Sequence, residues 1–168
     1  LRAKNAIVTG GSQGIGRATA LAFAREGANV AICARNPNPL EETARELRRI
    51  GVKVCAVACD VADPEALNKF LEEAGSVLGG ADILINNAGA GYFKKIDELS
   101  LERWHEMINT NLNGAFYITF KIVPLMKSNQ NTCHIINIGS ILGKTTRIES
   151  AAYSATKYGM QGFSEALF

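Results

Sequence analysis

The sequence predicts an α/β fold: a doubly wound parallel sheet with helices on both faces, in three α/β/α layers. Short unbroken apolar runs alternate with longer helical patterns along the chain. Strands buried on both faces read as such runs, and their alternation with helices implies a parallel sheet with right-handed crossovers. A second observation is that the Gly- and Asn-rich stretches fall at the carboxyl ends of those runs. A third is that 168 residues suffice for one domain with a core, with no internal repeat, low-complexity segment or second domain.

The first run, Ala6-Ile7-Val8, is ended by Thr9-Gly10-Gly11. An Ala-rich helical pattern follows from Ile15 to Glu26, with Ile15, Ala18, Leu21, Ala22 and Ala24 on or near one face and Gly27 as its stop. Asn29 to Cys33 is the second strand. Asn36-Pro37-Asn38-Pro39 reads as a loop, and Leu40 to Ile50 as a charged amphipathic helix closed by Gly51. Val52 to Ala58 is the third strand. Asp63-Pro64 opens a helix with proline at its first position, and Gly79-Gly80 ends it. Ile83-Leu84-Ile85 is the fourth strand and runs into Asn86-Asn87-Ala88-Gly89. Ser100 caps a long helix reaching about Met126, with Pro124 in its last turn. Ile135 to Ile138 is the fifth strand, ended by Gly139-Ser140. The last helix starts at Ala151, with Ser150 placed to cap it, and is expected to run through Phe168.

Eighteen basic and sixteen acidic residues leave a net charge of +2, too balanced to suggest nucleic acid or a membrane surface as partner. No apolar run reaches the ~18 residues of a membrane span. Leu1-Arg2-Ala3-Lys4 leads straight into a strand, so no signal peptide is expected. Cys33, Cys55, Cys59 and Cys133 show no Cys-x-x-Cys spacing and read as reduced thiols of a cytoplasmic protein. His105 and His134 lack a ligand partner at useful spacing, so no metal site is expected.

In a doubly wound sheet, ligands bind beyond the carboxyl ends of the strands. Thr9-Gly10-Gly11-Ser12-Gln13-Gly14-Ile15-Gly16 follows a strand and opens a helix, the context a phosphate site requires. Glycines let the backbone approach a pyrophosphate, and the helix N-terminus offers free N–H groups and partial positive charge. Gly10, Ser12, Gln13, Gly14, Ile15 and Gly16 are the candidate contacts, although their spacing is not Gly-x-Gly-x-x-Gly. The second strand ends in Ala34-Arg35, where a site for a free ribose 2′-hydroxyl usually places an acid. Arg35 instead suits a 2′-phosphate, which a guanidinium grips with a forked donor pair. Its plain alternative is a solvated surface charge. Asp60-Val61, after the third strand, is placed to meet an adenine, or Asp60 only forms a turn.

Tyr153 and Lys157 stand four residues apart, on one face of the last helix. An ammonium beside a phenol favours the phenolate, so the pair suits a general acid for a carbonyl oxygen. A carbonyl receiving hydride develops negative charge on that oxygen, and hydroxyl donors aimed at it stabilise the transition state more than the ground state. Alone, the pair equally describes a half-buried aromatic beside a solvated lysine.

The ordered set of motifs decides between these readings. Thr9-Gly-x-x-x-Gly-Ile-Gly16, Asp60, Asn86-Asn87-Ala88-Gly89, Asn111, Ser140 and Tyr153-x-x-x-Lys157 occur in the order of the short-chain dehydrogenase/reductase family, with Ser140 thirteen residues before Tyr153. The chain resembles that family over nearly its whole length. The resemblance implies a Rossmann-like dinucleotide-binding domain and the following roles. Tyr153 would exchange a proton with the substrate oxygen. Lys157 would favour the ionised tyrosine and hydrogen-bond the nicotinamide ribose. Ser140 would hold and polarise the carbonyl. Asn111 would position a water linking Lys157 to solvent, and Asn87, Ala88 and Gly89 would line the cofactor groove. It also implies a homodimer or homotetramer built through the long helix and the last one, to which Trp104, Phe116, Tyr117, Phe120 and Phe163 contribute apolar surface.

The family's fold normally continues with two more strands and a loop over the substrate. A single domain covering 1–168 is therefore expected to be the N-terminal part of a longer one, with its last strands missing and its fifth strand an open apolar edge. The expected function is an NADPH-dependent oxidoreductase reducing a carbonyl reversibly, with NADP(H) as cofactor and a 3-oxoacyl thioester or another ketone as small-molecule substrate. A non-catalytic dinucleotide-binding module is the rival, although a pure binder has no use for Tyr153 and Lys157 together. A nucleotide-sugar epimerase or dehydratase fits the glycine spacing less well.

Overall fold

The computed structural model describes residues 1–129 and 132–167. Five strands, β1 (Asn5–Thr9), β2 (Asn29–Ala34), β3 (Val54–Ala58), β4 (Ile83–Asn86) and β5 (His134–Asn137), form one parallel sheet in the order β3-β2-β1-β4-β5. Six α-helices, α1 (Gly14–Arg25), α2 (Pro37–Ile50), α3 (Pro64–Leu78), α4 (Leu101–Ile108), α5 (Gly114–Lys127) and α6 (Ala151–Glu165), connect and flank it. The strand order reverses between β1 and β4, which opens a crevice at the carboxyl ends of those two strands.

The pleat sorts each strand between two cores. Ala6 and Val8 of β1, Val30 and Ile32 of β2, and Ile83 and Ile85 of β4 pack with Ala20, Ala24, Leu40 and Leu47 of α1 and α2. Ile7, Ala31 and Leu84 face the other way, onto Leu67 and Phe70 of α3 and Ile118 and Ile122 of α5. Burying each large side chain contributes about 1.5–3 kcal/mol, which is why two-sided strands carry no polar residues between their ends.

Helix boundaries follow local chemistry. Asp63 accepts from Glu65 N at 2.9 Å and Ala66 N at 3.3 Å, with Pro64 in the first turn where its missing N–H costs nothing. Ser100 accepts from Arg103 N at 3.3 Å. Gly51 and Gly79 close α2 and α3 at φ of 92° and 81°, a conformation in which a Cβ would be strained.

Several expectations are corrected. Asn36 to Pro39 is no loop: α2 starts at Pro37, and Asn36 caps it by accepting from Asn38 N at 3.2 Å. β3 begins at Val54 rather than Val52, because pairing with β2 starts only where the Lys53 carbonyl accepts from Val30 N. The buried face of α1 is Gly16, Ala20, Leu21 and Ala24; Ile15 is 61% exposed and Ala18 and Ala22 face solvent. The long helix from Ser100 is two α-helices joined by a π-helical stretch, Asn109–Asn113. Ser150 takes the N-cap position of α6, but its side chain makes no capping hydrogen bond. It is buried, and its hydroxyl turns back to donate to Arg147 O at 2.7 Å while accepting from Arg147 N and Ser154 Oγ. α6 ends at Glu165, and the expectation for Phe168 lies outside the described residues. No helix among the described residues is long and apolar enough to cross a membrane.

Candidate active site

The crevice between β1 and β4 is built by one hydroxyl and one amide. Thr9 Oγ1, at the end of β1, accepts from Asn87 N and Ala88 N, both at 3.0 Å. Asn87 Nδ2 returns the contact, donating to Thr9 O at 2.9 Å and Gly10 O at 3.1 Å. The two strand-end loops are thereby locked together, and the packing excludes any larger residue at Gly16: a Cβ there would lie 2.3 Å from Gly10 O. Gly14 is the opposite case. Its φ is 56°, and nothing lies within 4 Å of the place a Cβ would occupy, so the loop presents open backbone at the start of α1.

A groove of roughly 520 Å³ runs over these carboxyl ends. Gly10, Ser12, Gln13, Gly14 and Ile15 line it, with Arg35, Asp60, Val61, Asn87, Ala88 and Gly89. Of the residues singled out as cofactor contacts, Gly16 lies beneath the loop, and Tyr153 and Lys157 stand outside this lining. Ala34, Asn36, Cys59 and Thr110 complete the lining and were missed, because nothing in their type marks them as ligand contacts. Asp60 also accepts from Ala62 N at 2.9 Å, forming the turn that was its alternative reading. Arg35 is partly exposed, and its Nη1 donates to Glu106 Oε1 at 3.0 Å.

Lys157 is almost fully buried, and its Nζ donates to the carbonyl of Ile138, just past β5, at 2.7 Å. It lies 5.8 Å from the centroid of the Tyr153 ring, one turn earlier on α6. Burial lowers the basicity of this amine, since an ammonium loses solvation there. Lys157 shares a small cavity with Thr9, Asn86 and Asn111, and Val61, Ala88 and Thr110 line both this cavity and the groove. The Tyr153 ring packs against Phe93 at 5.3 Å between centroids, and a Cβ on Gly91 would come within 3.3 Å of it.

Asn111, in the π-helical stretch, is 1% exposed. Its Oδ1 accepts from Ala90 N at 2.7 Å, and its Nδ2 donates to Ala90 O at 2.8 Å and Thr156 Oγ1 at 3.0 Å. The amide therefore joins the loop after β4 to α6, at the wall of the cavity it shares with Lys157. The widened turn ends at Gly114, where a Cβ would sit 2.7 Å from Val61 O, so the backbone there presses on the groove wall. Such π-turns recur at functional sites. Ser140 stands past the end of β5 with its hydroxyl accepting from Leu142 N at 3.1 Å, which leaves its proton free to donate. The short 3-10 turn that follows, Ile141–Gly143, packs on α6, where a Cβ on Gly143 would meet Lys157 O at 2.8 Å.

Comparison with known proteins places this arrangement. Residues 4–168 match the family model described as short chain dehydrogenase. General stress protein 39 of Bacillus subtilis is 36% identical over 99% of this chain and 58% of its own length. An uncharacterised oxidoreductase of Staphylococcus aureus is 37% identical over 98% of this chain and 70% of its own. Among solved structures, L-sorbose reductase from Gluconobacter frateurii, complexed with NADPH and L-sorbose, superposes with a TM-score of 0.94 at 38% identity, covering 99% of this chain and 64% of that one. An NAD⁺-bound xylitol dehydrogenase gives 0.92 at 30% identity, covering 98% and 63%. The chain thus spans about three fifths of several relatives it matches, and across that span it belongs to the short-chain dehydrogenase family of oxidoreductases.

Proposed function

We propose that the protein is an NADPH-dependent reductase that interconverts a ketone and a secondary alcohol, with Tyr153 as the acid–base residue. The observation that carries the reading is the pairing of Tyr153 with the buried, backbone-anchored Lys157 beside the groove. A nicotinamide cofactor, when bound, supplies or accepts the hydride. The residues present fit it. Gly14 leaves the first turn of α1 open to a pyrophosphate, and Arg35 suits a 2′-phosphate. Asp60 and Val61 would meet the adenine, and Asn87, Ala88 and Gly89, which also line the groove, would hold the nicotinamide side.

Tyr153 transfers its proton to the carbonyl oxygen as negative charge develops there, and Ser140, keeping its own proton, hydrogen-bonds the same oxygen through its free O–H. Lys157 stabilises the phenolate left on Tyr153 and would hydrogen-bond the ribose of a bound cofactor. Asn111 holds Ala90 and Thr156 in register, which makes it a positioning residue in this reading. A non-catalytic module would have no need of an ammonium held in a buried cavity, where desolvation opposes its charge.

The names of the two structural relatives give a ketose and a polyol as their substrates, which supports a ketone–alcohol pair here. A 3-oxoacyl thioester carries the same reacting group. One relative holds NADPH and the other NAD⁺, so the cofactor choice rests on Ala34-Arg35, a strand end with an arginine and no acid of its own. The length of the relatives and the exposed Ile136 on β5 support further strands of the same domain beyond these 168 residues. Phe116 and Phe120, both more than half exposed and stacked at 6.2 Å, support self-association through α5 and α6 into a dimer or tetramer. The buried thiols of Cys33, Cys55 and Cys59 support a cytoplasmic location.

The test is NADPH oxidation by the full-length protein against a panel of ketones, L-sorbose among them, with NADH in parallel. Turnover with at least one ketone, faster with NADPH and lost in Tyr153→Phe, is the expected result. Near-normal kcat in Tyr153→Phe would overturn the assignment of Tyr153, and equal use of both cofactors would overturn that of Arg35.

A further inference from the structure

Arg35 does not stand in the groove alone. Its Nη1 donates to Glu106 Oε1 at 3.0 Å, joining the end of β2 to a residue of α4 that is 71 positions away. The second oxygen, Glu106 Oε2, accepts from Arg103 Nη1 at 2.7 Å, less than one helical turn back. Arg103 in turn donates to the Tyr92 hydroxyl at 2.7 Å and lies 4.4 Å over the Tyr92 ring. Two guanidiniums thus share one carboxylate. Hydrogen bonds from Arg103 first, and Arg35 second, hold the Glu106 carboxyl below its ordinary range, so it is an anion at neutral pH.

We propose that Glu106 is a cofactor-specificity residue: it occupies a donor of Arg35 and supplies the countercharge that a ribose 2′-phosphate would otherwise supply, and so restrains the preference for NADPH over NADH. The inference rests on the NADPH reading above and adds to it the residue that sets the size of the preference.

A phosphate gripped by Arg35 would sit across a single guanidinium from the Glu106 carboxylate. Like charges at that separation repel, and the Arg35 donor used by Glu106 must be given up or shared. The exchange is feasible because Glu106 keeps Arg103 as a partner when Arg35 turns to the phosphate. NADH carries no charge at the 2′ position, so Glu106 is indifferent to it. The side chains of Arg35 and Glu106 are 57% and 22% exposed, which keeps the effect modest.

The experiment titrates NADPH and NADH, by cofactor fluorescence, against the full-length parent, Glu106→Gln, Arg35→Ala and the double variant. Glutamine keeps the shape of Glu106 and removes its charge. Glu106→Gln is expected to tighten NADPH about two- to five-fold and leave NADH unchanged, the range that partly exposed charge pairs allow. In the Arg35→Ala background the same change should do nothing. Weaker or unchanged NADPH binding in Glu106→Gln overturns the proposal, as does an equal shift for both cofactors or a gain that survives without Arg35. Glu106→Ala repeats the arm with the same expected sign should the glutamine variant fail to fold. A parent that binds NADH as tightly as NADPH overturns the cofactor reading instead, and the Glu106 arms still report on Glu106 alone.

Discussion

Lys157 is anchored to Ile138: the buried ammonium donates to that carbonyl at 2.7 Å, tying α6 to the end of the edge strand β5. Burial gives Lys157 a folded pKa below that of the unfolded chain. Between that lowered value and the ordinary lysine value of about 10.4, the unfolded chain holds more protons, so this residue makes stability rise with pH there. Below the lowered value the penalty is fully present and constant. Lys157→Met should flatten the rise, which urea titrations at pH 7 and pH 10 measure. An unchanged pH slope would show that Lys157 is ordinarily solvated.

Tyr153→Phe keeps the ring and its packing on Phe93 but removes the hydroxyl. Turnover should fall by about 10²–10⁴-fold, while NADPH affinity and melting temperature stay near the parent's. Single-turnover kinetics together with cofactor titration separate the two effects. A large loss of cofactor affinity would mean that the hydroxyl holds the cofactor rather than only delivering a proton.

Asn111→Ala removes three hydrogen bonds, the one to Thr156 Oγ1 buried and the two to Ala90 part-buried, and strands both backbone groups of Ala90. The expected cost is about 1–3 kcal/mol in urea denaturation, from polar groups left partly unmet in the loop after β4. Activity should fall with stability, because the loop carrying Gly91 and Phe93 against Tyr153 loses its tether. A cost under about 0.5 kcal/mol would mean that Ala90 finds other partners.

Asp82 acts at the opposite end of the sheet. Burial pushes its carboxyl up, but Asn5 N, Lys4 Nζ and Asn129 Nδ2 donate to it and outweigh that cost, leaving its pKa lowered. Its contribution is therefore fully present above the unfolded value of about 3.9 and lost as the pH falls through the lower folded value. Asp82→Asn should destabilise the protein at pH 7 and make its acid unfolding less steep below pH ~4. Parallel acid titrations that superpose would remove this role.

Phe120→Glu places a charge beside exposed Phe116 and the half-buried Phe163 that packs on it. The full-length variant should dissociate in light scattering at micromolar concentrations where the parent associates. Identical masses for the two would move the interface elsewhere. Tyr117 is not part of this surface, although its type suggested so: it packs against the core and donates to Asn68 Oδ1 at 3.2 Å.

The elements themselves were legible because their signals are local. Asp63, Ser100, Gly51 and Gly79 act on groups within about one helical turn, so residue type at one position suffices to mark a boundary. The two-sided burial of β1, β2 and β4 was legible as unbroken apolar runs for the same reason. Ile15, Asn111, Ser150 and Arg35 obey a different rule. Each has a residue type compatible with several partners, and the partner is chosen by which loops the sheet register brings together. Thr9 meets Asn87 only because β1 pairs with β4 at the reversal of strand order. Asn111 meets Ala90 from within a π-turn that no periodicity announces, and Glu106 reaches Arg35 across the crevice mouth. Hydrogen bonds within a turn of chain are set by the residues that make them, whereas those spanning 20 to 80 positions are set by packing, and the geometry of this site is made almost wholly of the second kind.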